Sequence, residues 1–186
     1  RSVEPVQRLL SYLVVDPADS SSAALSLAVL NSGLLGGNWG FGVDGHQGVC
    51  TDVPSATDAV VVSGNSLVQG AEGLEDFLRA ESEASSLLIF APPVLGDWIE
   101  RVVQATTKLP VTVCLVGLTP RKNTTLETLL FTPLDDEPSR MDTQTVMNIV
   151  RHLQGKGVSV SIVHSDSGRM FDASEFALQF ERKGVA

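Results

Sequence analysis

His164-Ser165-Asp166-Ser167-Gly168 sets an imidazole, a carboxylate and two hydroxyls side by side. These are the group types from which a nucleophile, a base and an orienting acid are assembled, although such sets are gathered from distant parts of a chain. The plainer reading is a capped turn leading into a last helix. A second polar turn, Ser63-Gly64-Asn65-Ser66, follows an apolar run. Read as a strand-to-helix turn, its free backbone N–H groups suit an anion such as phosphate; its plainer reading is a turn capped by Ser66. Asp135-Asp136-Glu137, with Asp16, offers the oxygen donors that a divalent cation prefers. An acidic first turn that complements a helix dipole accounts for the same residues.

Stronger chemical signatures are missing. The chain has no GxSxG elbow and no GxxxxGK[ST] phosphate loop. Gly36-Gly37-Asn38-Trp39-Gly40-Phe41-Gly42 comes after a helical pattern, so it lacks the strand that a dinucleotide loop needs. Cys50 and Cys114 show no CxxC or Cys/His spacing, and neither a metal nor a cofactor is expected. Cys114 reads as a small buried hydrophobe. His152 falls in a helix and reads as a surface residue.

What would position the polar groups is a repeated unit: an apolar strand, a proline at or past its end, then an amphipathic helix. Leu13-Val14-Val15-Asp16-Pro17, Leu88-Ile89-Phe90-Ala91-Pro92-Pro93 and Leu129-Leu130-Phe131-Thr132-Pro133 each fit it. Strands joined by helices lie parallel and are buried on both faces. Strands are expected at 9–15, 58–63, 86–91, 111–118, 126–132 and 158–163. The run Ala59-Val60-Val61-Val62 reads as one of them because it is uniformly apolar and mostly β-branched. Helices are expected after Ser20–Ser22, over 67–80, from Asp97, over 140–154 and over 172–182. This order predicts an α/β fold: a three-layer sandwich with a mainly parallel, doubly wound, Rossmann-like sheet of about six strands.

Residues 1–186 read as a single domain, with the polar stretch 119–125 as the place for any subdivision. Ligands in open α/β sheets sit beyond the carboxyl ends of the strands. Asp16, Ser63, Asn65, Asp135 and His164 are therefore the ligand-binding candidates, and no residue is assigned a catalytic role.

The segment 33–48 holds seven glycines around Asn38, Trp39, Phe41 and His46. It reads as a flexible loop or as a short strand over Trp39–Val43 at the sheet edge, and Asp44-Gly45 is a tight-turn signal. Exposed aromatics serve as interface anchors, which makes Trp39 and Phe41 the interaction candidates. Packing over a sheet edge is the other reading of both.

Composition bounds the function. Acidic residues outnumber basic ones, 22 to 13, for a net charge of −9. That balance disfavours general nucleic-acid binding and anionic membranes, which need a positive field. The apolar runs fall well short of the roughly 20 residues that span a bilayer. Residues 1–8 show no signal-peptide pattern, and two cysteines fit a reducing compartment, so a cytoplasmic location is expected. Asn123-Thr124-Thr125 matches the glycosylation acceptor pattern. Two functions remain. One is a non-catalytic α/β domain of a larger assembly that acts through a protein partner. The other is an enzyme or binder for a small or anionic ligand at the carboxyl edge of the sheet.

Overall fold

The computed structural model describes residues 8–17, 21–81, 83–117, 137–164 and 170–172, with side chains for all but 116–117, 137–143, 163–164 and 170–172. Its strands are β1 (Leu9–Leu13), β2 (Trp39–Val43), β3 (Ser86–Ala91), β4 (Val111–Gly117), β5 (Ser159–His164) and β6 (Met170–Asp172). Its helices are α1 (Ser21–Ser32), α2 (Val53–Ser63), α3 (Leu74–Ala80), α4 (Trp98–Ala105) and α5 (Glu137–Gly155). The strands form one sheet in the order β2-β1-β3-β4-β5-β6. Neighbours from β2 to β5 are parallel, and β6 runs antiparallel to β5. Leu9 of β1 pairs with Trp39 on one side and Ser86 on the other, so the winding reverses between β1 and β3. This is the doubly wound α/β fold that the sequence predicts.

Alternation along β1 divides the core. Leu10, Tyr12 and Val14 face α3, α4 and α5, together with Leu87, Ile89, Val113 and Leu115. Leu13 faces α1 and α2, together with Phe41, Val43, Phe90 and Cys114. Gly42 of β2 admits α3 closely. A Cβ on Gly42 would come within 2.5 Å of the Phe77 ring, which itself lies 5.3 Å from the Tyr12 ring.

The strand expected over 58–63 is a helix. Those residues form the second half of α2, and the link to β3 continues through α3. Three local facts override the β-branched composition. Asp52 caps the helix by accepting the Ser55 N–H at 2.8 Å. Pro54 occupies the first turn, where it lacks no bond the helix needs. Ala56, Ala59, Val60 and Ser63 are the buried positions, a helical period of three and four. Helix propensity differences for Val are small enough for this context to win.

The helix expected over 67–80 begins only at Leu74. Trp39–Val43 is the edge strand of the sheet. After the Asp44-Gly45 turn the chain doubles back, and Cys50 exchanges two backbone hydrogen bonds of 2.8 Å with Phe41. That bridge covers part of the open edge of β2. The helix expected over 140–154 lies within α5, and 158–163 overlaps β5. Asp172, expected to start a helix, ends β6 instead. The strand expected over 126–132, the stretch 119–125 and residues 173–182 lie outside the described residues. Among the described residues no helix is long and apolar enough to cross a membrane.

Candidate functional site

The carboxyl edge of the sheet holds the features of interest, and its strongest polar group is one that sequence reasoning passed over. Asp44 follows β2 and is fully buried. Its Oδ1 accepts from the Tyr12 hydroxyl at 2.5 Å and the Gly73 N–H at 3.2 Å. Its Oδ2 accepts from the Val15 N–H at 2.9 Å and the Ala71 N–H at 2.8 Å. A buried carboxylate is tolerated only when its lone pairs are used, and here four donors use them. Burial, reinforced by the Asp44 charge and hydrogen bond, holds the Tyr12 hydroxyl protonated well above the ordinary range. Asp44 therefore ties the extension of β1, the end of β2 and the turn before α3 into one knot. It has no lone pair left for a substrate. The signal in the sequence is an acid directly after an apolar strand, which by itself reads only as part of the Asp44-Gly45 tight turn.

The predicted site residues fall into three groups. Asp16 lies half-buried just past β1, at the point where the winding reverses. Ser63 and Asn65 reach the same edge because α2 ends there; no strand ends at them. Ser66 lies against Gly45, where a Cβ would overlap its side chain, and Gly70 N–H donates to Val15 O at 3.0 Å. The chain from α2 to α3 thus crosses the ends of β2 and β1. The Ser63 hydroxyl, buried to 4% exposure, donates to Val60 O at 2.6 Å, while Asn65 is exposed. His164 ends β5, with β3 and β4 between it and β1. Three strand spacings place it about 14 Å from the end of β1. Asp135 lies outside the described residues.

The interaction candidates divide as well. Phe41 is fully buried under the α1–α2 layer, so it presents nothing to a partner, and Trp39 is half-buried. Among the described residues the exposed large apolar side chains are Leu34, Val61, Val62, Leu67 and Leu95. Val61 and Val62, at 69% and 66% exposure, form the outer end of α2, and Leu67, just beyond, is 94% exposed.

Beside the crevice between β1 and β3, the Ser22 hydroxyl donates to Ala91 O at 3.0 Å. Trp98 Nε1–H donates to Val94 O at 2.9 Å and pins the loop after β3. Both bonds go to backbone carbonyls. Cys50 Sγ lies 3.6 Å from His46 Nε2, but burial and then the Asp52 charge push the thiol up, away from the reactive thiolate. Burial pushes Cys114 up to about 12. Among the described residues no group of three His, Cys, Asp or Glu side chains could hold a metal ion.

Comparison of the chain with protein-family models, with curated proteins and with solved structures returned no match.

Proposed function

We propose that this chain is a non-catalytic α/β domain that works through protein–protein contacts, with the outer end of α2 and Leu67 as its contact face. The observation that carries this reading is the exposure of Val61, Val62 and Leu67 within one short stretch. Single exposed apolar residues are ordinary, but neighbouring ones mark interaction surfaces. The face moves from the Trp39–Phe41 segment because Phe41 serves the core. Two polar groups at the carboxyl edge, Asp44 and Ser63, are committed to holding backbone. The net charge of −9 argues against general nucleic-acid binding. Two unpaired, buried thiols fit a cytoplasmic location.

The test replaces Val61, Val62 and Leu67 together with Glu. The labelled wild-type chain in a native extract is expected to sediment with a partner as a larger species, and the triple variant as a monomer. The unfolding midpoint is expected to stay unchanged, because the three side chains are already in water. Equal sedimentation of both chains would defeat the reading.

A second reading rests on the reversal of winding between β1 and β3, the place where open α/β sheets bind ligands. Asp16 stands at that point, and the start of α1 is tied to the end of β3 by Ser22. A ligand there would raise the melting temperature by mass action. Nucleotides, sugar phosphates and divalent ions are the panel to try, and no shift with any of them removes this reading.

A further inference from the structure

Residues 66–73 form a strap across the carboxyl ends of β2 and β1, and its attachments are unusually concentrated. The Ala71 and Gly73 N–H groups both go to the Asp44 carboxylate. Gly70 is held on both sides, its N–H donating to Val15 O at 3.0 Å and its carbonyl accepting from Arg101 Nη1 at 2.6 Å. Against these polar ties the strap contributes little apolar burial. Ala71 is its one buried hydrophobic residue, and Leu67 stands in water. The backbone is also strained. Gly70 and Ala71 both have positive φ, 63° and 67°, and the left-handed region is unfavourable for Ala.

A segment with few apolar contacts and many polar ones opens more readily than the core it covers. Here two of the four polar ties, those from Ala71 and Gly73, converge on one carboxylate, so these two are lost together and not one by one. The geometry points to a single-latch strap: residues 66–73 open and close as a unit over the carboxyl edge, with Asp44 as the latch, while the sheet and the flanking helices stay folded. Opening relieves the strain at Ala71. It also uncovers the Tyr12 hydroxyl and the Asp44 carboxylate beside the crevice between β1 and β3. Leu67 lies in the strap and in the proposed contact face at once. A partner that binds Leu67 differently in the two states shifts the balance between them. That coupling rests on the contact-face reading, whereas the opening is a property of the free chain and is tested there.

The measurement is amide hydrogen exchange of the free protein by NMR across low urea concentrations. Ala71 and Gly73 are expected to exchange at rates nearly independent of urea, the mark of local opening. Ile89 and Val113, in the central strands, are expected to follow the steep urea dependence of global unfolding. In Asp44→Asn the strap amides are expected to exchange about a hundredfold faster, since bonds to a charged acceptor are among the stronger ones. Ile89 and Val113 are expected to change far less. Arg101→Ala removes only the tie at Gly70 and is expected to give about tenfold. It also serves if Asp44→Asn does not fold. Strap amides that exchange only through global unfolding would overturn the proposal. So would variants that accelerate strap and core equally. Either result leaves the contact face on α2 standing.

Discussion

α4 buries Trp98, Ile99, Val102 and Ala105 against one face of the sheet, whereas α2 buries Ala56, Ala59, Val60 and Ser63 against the other. The contrast holds for the neighbours of each helix. α3 adds Leu74, Phe77 and Leu78 beside α4, while α1 places Ser22 and Ser26 beside Val29 and Leu30. One layer is held by bulky side chains that interlock. In the other, small side chains bring helix and sheet close together. An element can thus be rich in valine and still direct much of it to water, as Val61 and Val62 do. What a helix spends on its outer face is then available for another molecule.

The sharpest way to break this comparison is to empty one pocket in each layer. Trp98→Ala is expected to cost about 3–5 kcal/mol, because a large fully buried side chain leaves a cavity that cannot collapse. Ser26→Ala, also at a fully buried position, is expected to cost under about 1 kcal/mol, since only a short local hydrogen bond is lost. Urea unfolding of both variants reads the difference, and equal losses would erase the distinction between the layers.

Alkaline titration is next in size and probes both layers. Cys114 belongs to the α1–α2 side, and its folded pKa of about 12 lies above the unfolded thiol value of about 8.5. Its contribution is therefore fully present below about pH 8.5 and is lost as pH rises toward 12. The slope is about 1.4 kcal/mol per pH unit for one buried thiol. Tyr12, on the other side, acts with the same sign above about pH 10, because the unfolded phenol ionises there and the folded one does not. Cys114→Ala is expected to flatten the fall between pH 9 and pH 10, measured by urea unfolding under reducing conditions. An unchanged slope would show that the thiol is not buried in the folded chain.

A smaller effect, of opposite sign, is expected within β1. Ser11 is fully buried, and its hydroxyl has no hydrogen-bond partner among the described residues. Ser11→Ala is expected to stabilise the fold by about 1 kcal/mol by removing an unsatisfied group. A loss of stability would mean that the hydroxyl has a partner. The smallest change concerns the cap of α2. The Ser55 N–H bond holds the Asp52 carboxyl below its usual range. Its contribution is present above the ordinary carboxylate pKa and is lost as pH falls through the lowered one. Asp52→Ala is expected to lower the melting temperature slightly at neutral pH, and Asp52→Asn to restore it. Equal melting temperatures for Asp52→Ala and the wild type would deny the cap a role.

How far the sequence could be read follows the same division. α4 and α5 carry clear helical spacing, and β1, β3, β4 and β5 are apolar runs bounded by prolines, glycines or polar turns, so each was visible. The second half of α2 was not, because Ala59-Val60-Val61-Val62 has the composition of a buried strand and its helical period shows only when Ala56 and Ser63 are counted with it. The error still left Ser63 and Asn65 at the carboxyl edge, since a helix rising to that edge ends where a strand would have ended. The Trp39–Val43 strand was legible, but Gly40 and Gly42 hid the reason for it, which is the close approach of Phe77 and other side chains to its backbone. Asp44 escapes a sequence reading because all four of its partners come from residues 27 to 32 positions away, and no local pattern records them. The antiparallel return of β6 left no signal beyond a short apolar pair.

Site-specific photo-crosslinking tests the central claim most directly. A photoreactive residue at Val62 or Leu67 is expected to join the chain to one defined protein, saturably, and purified partner is expected to reproduce the adduct. The same residue at Gln154, exposed on α5, is expected to give none. Adducts from all three positions alike, or from none, would contradict a contact face at the end of α2.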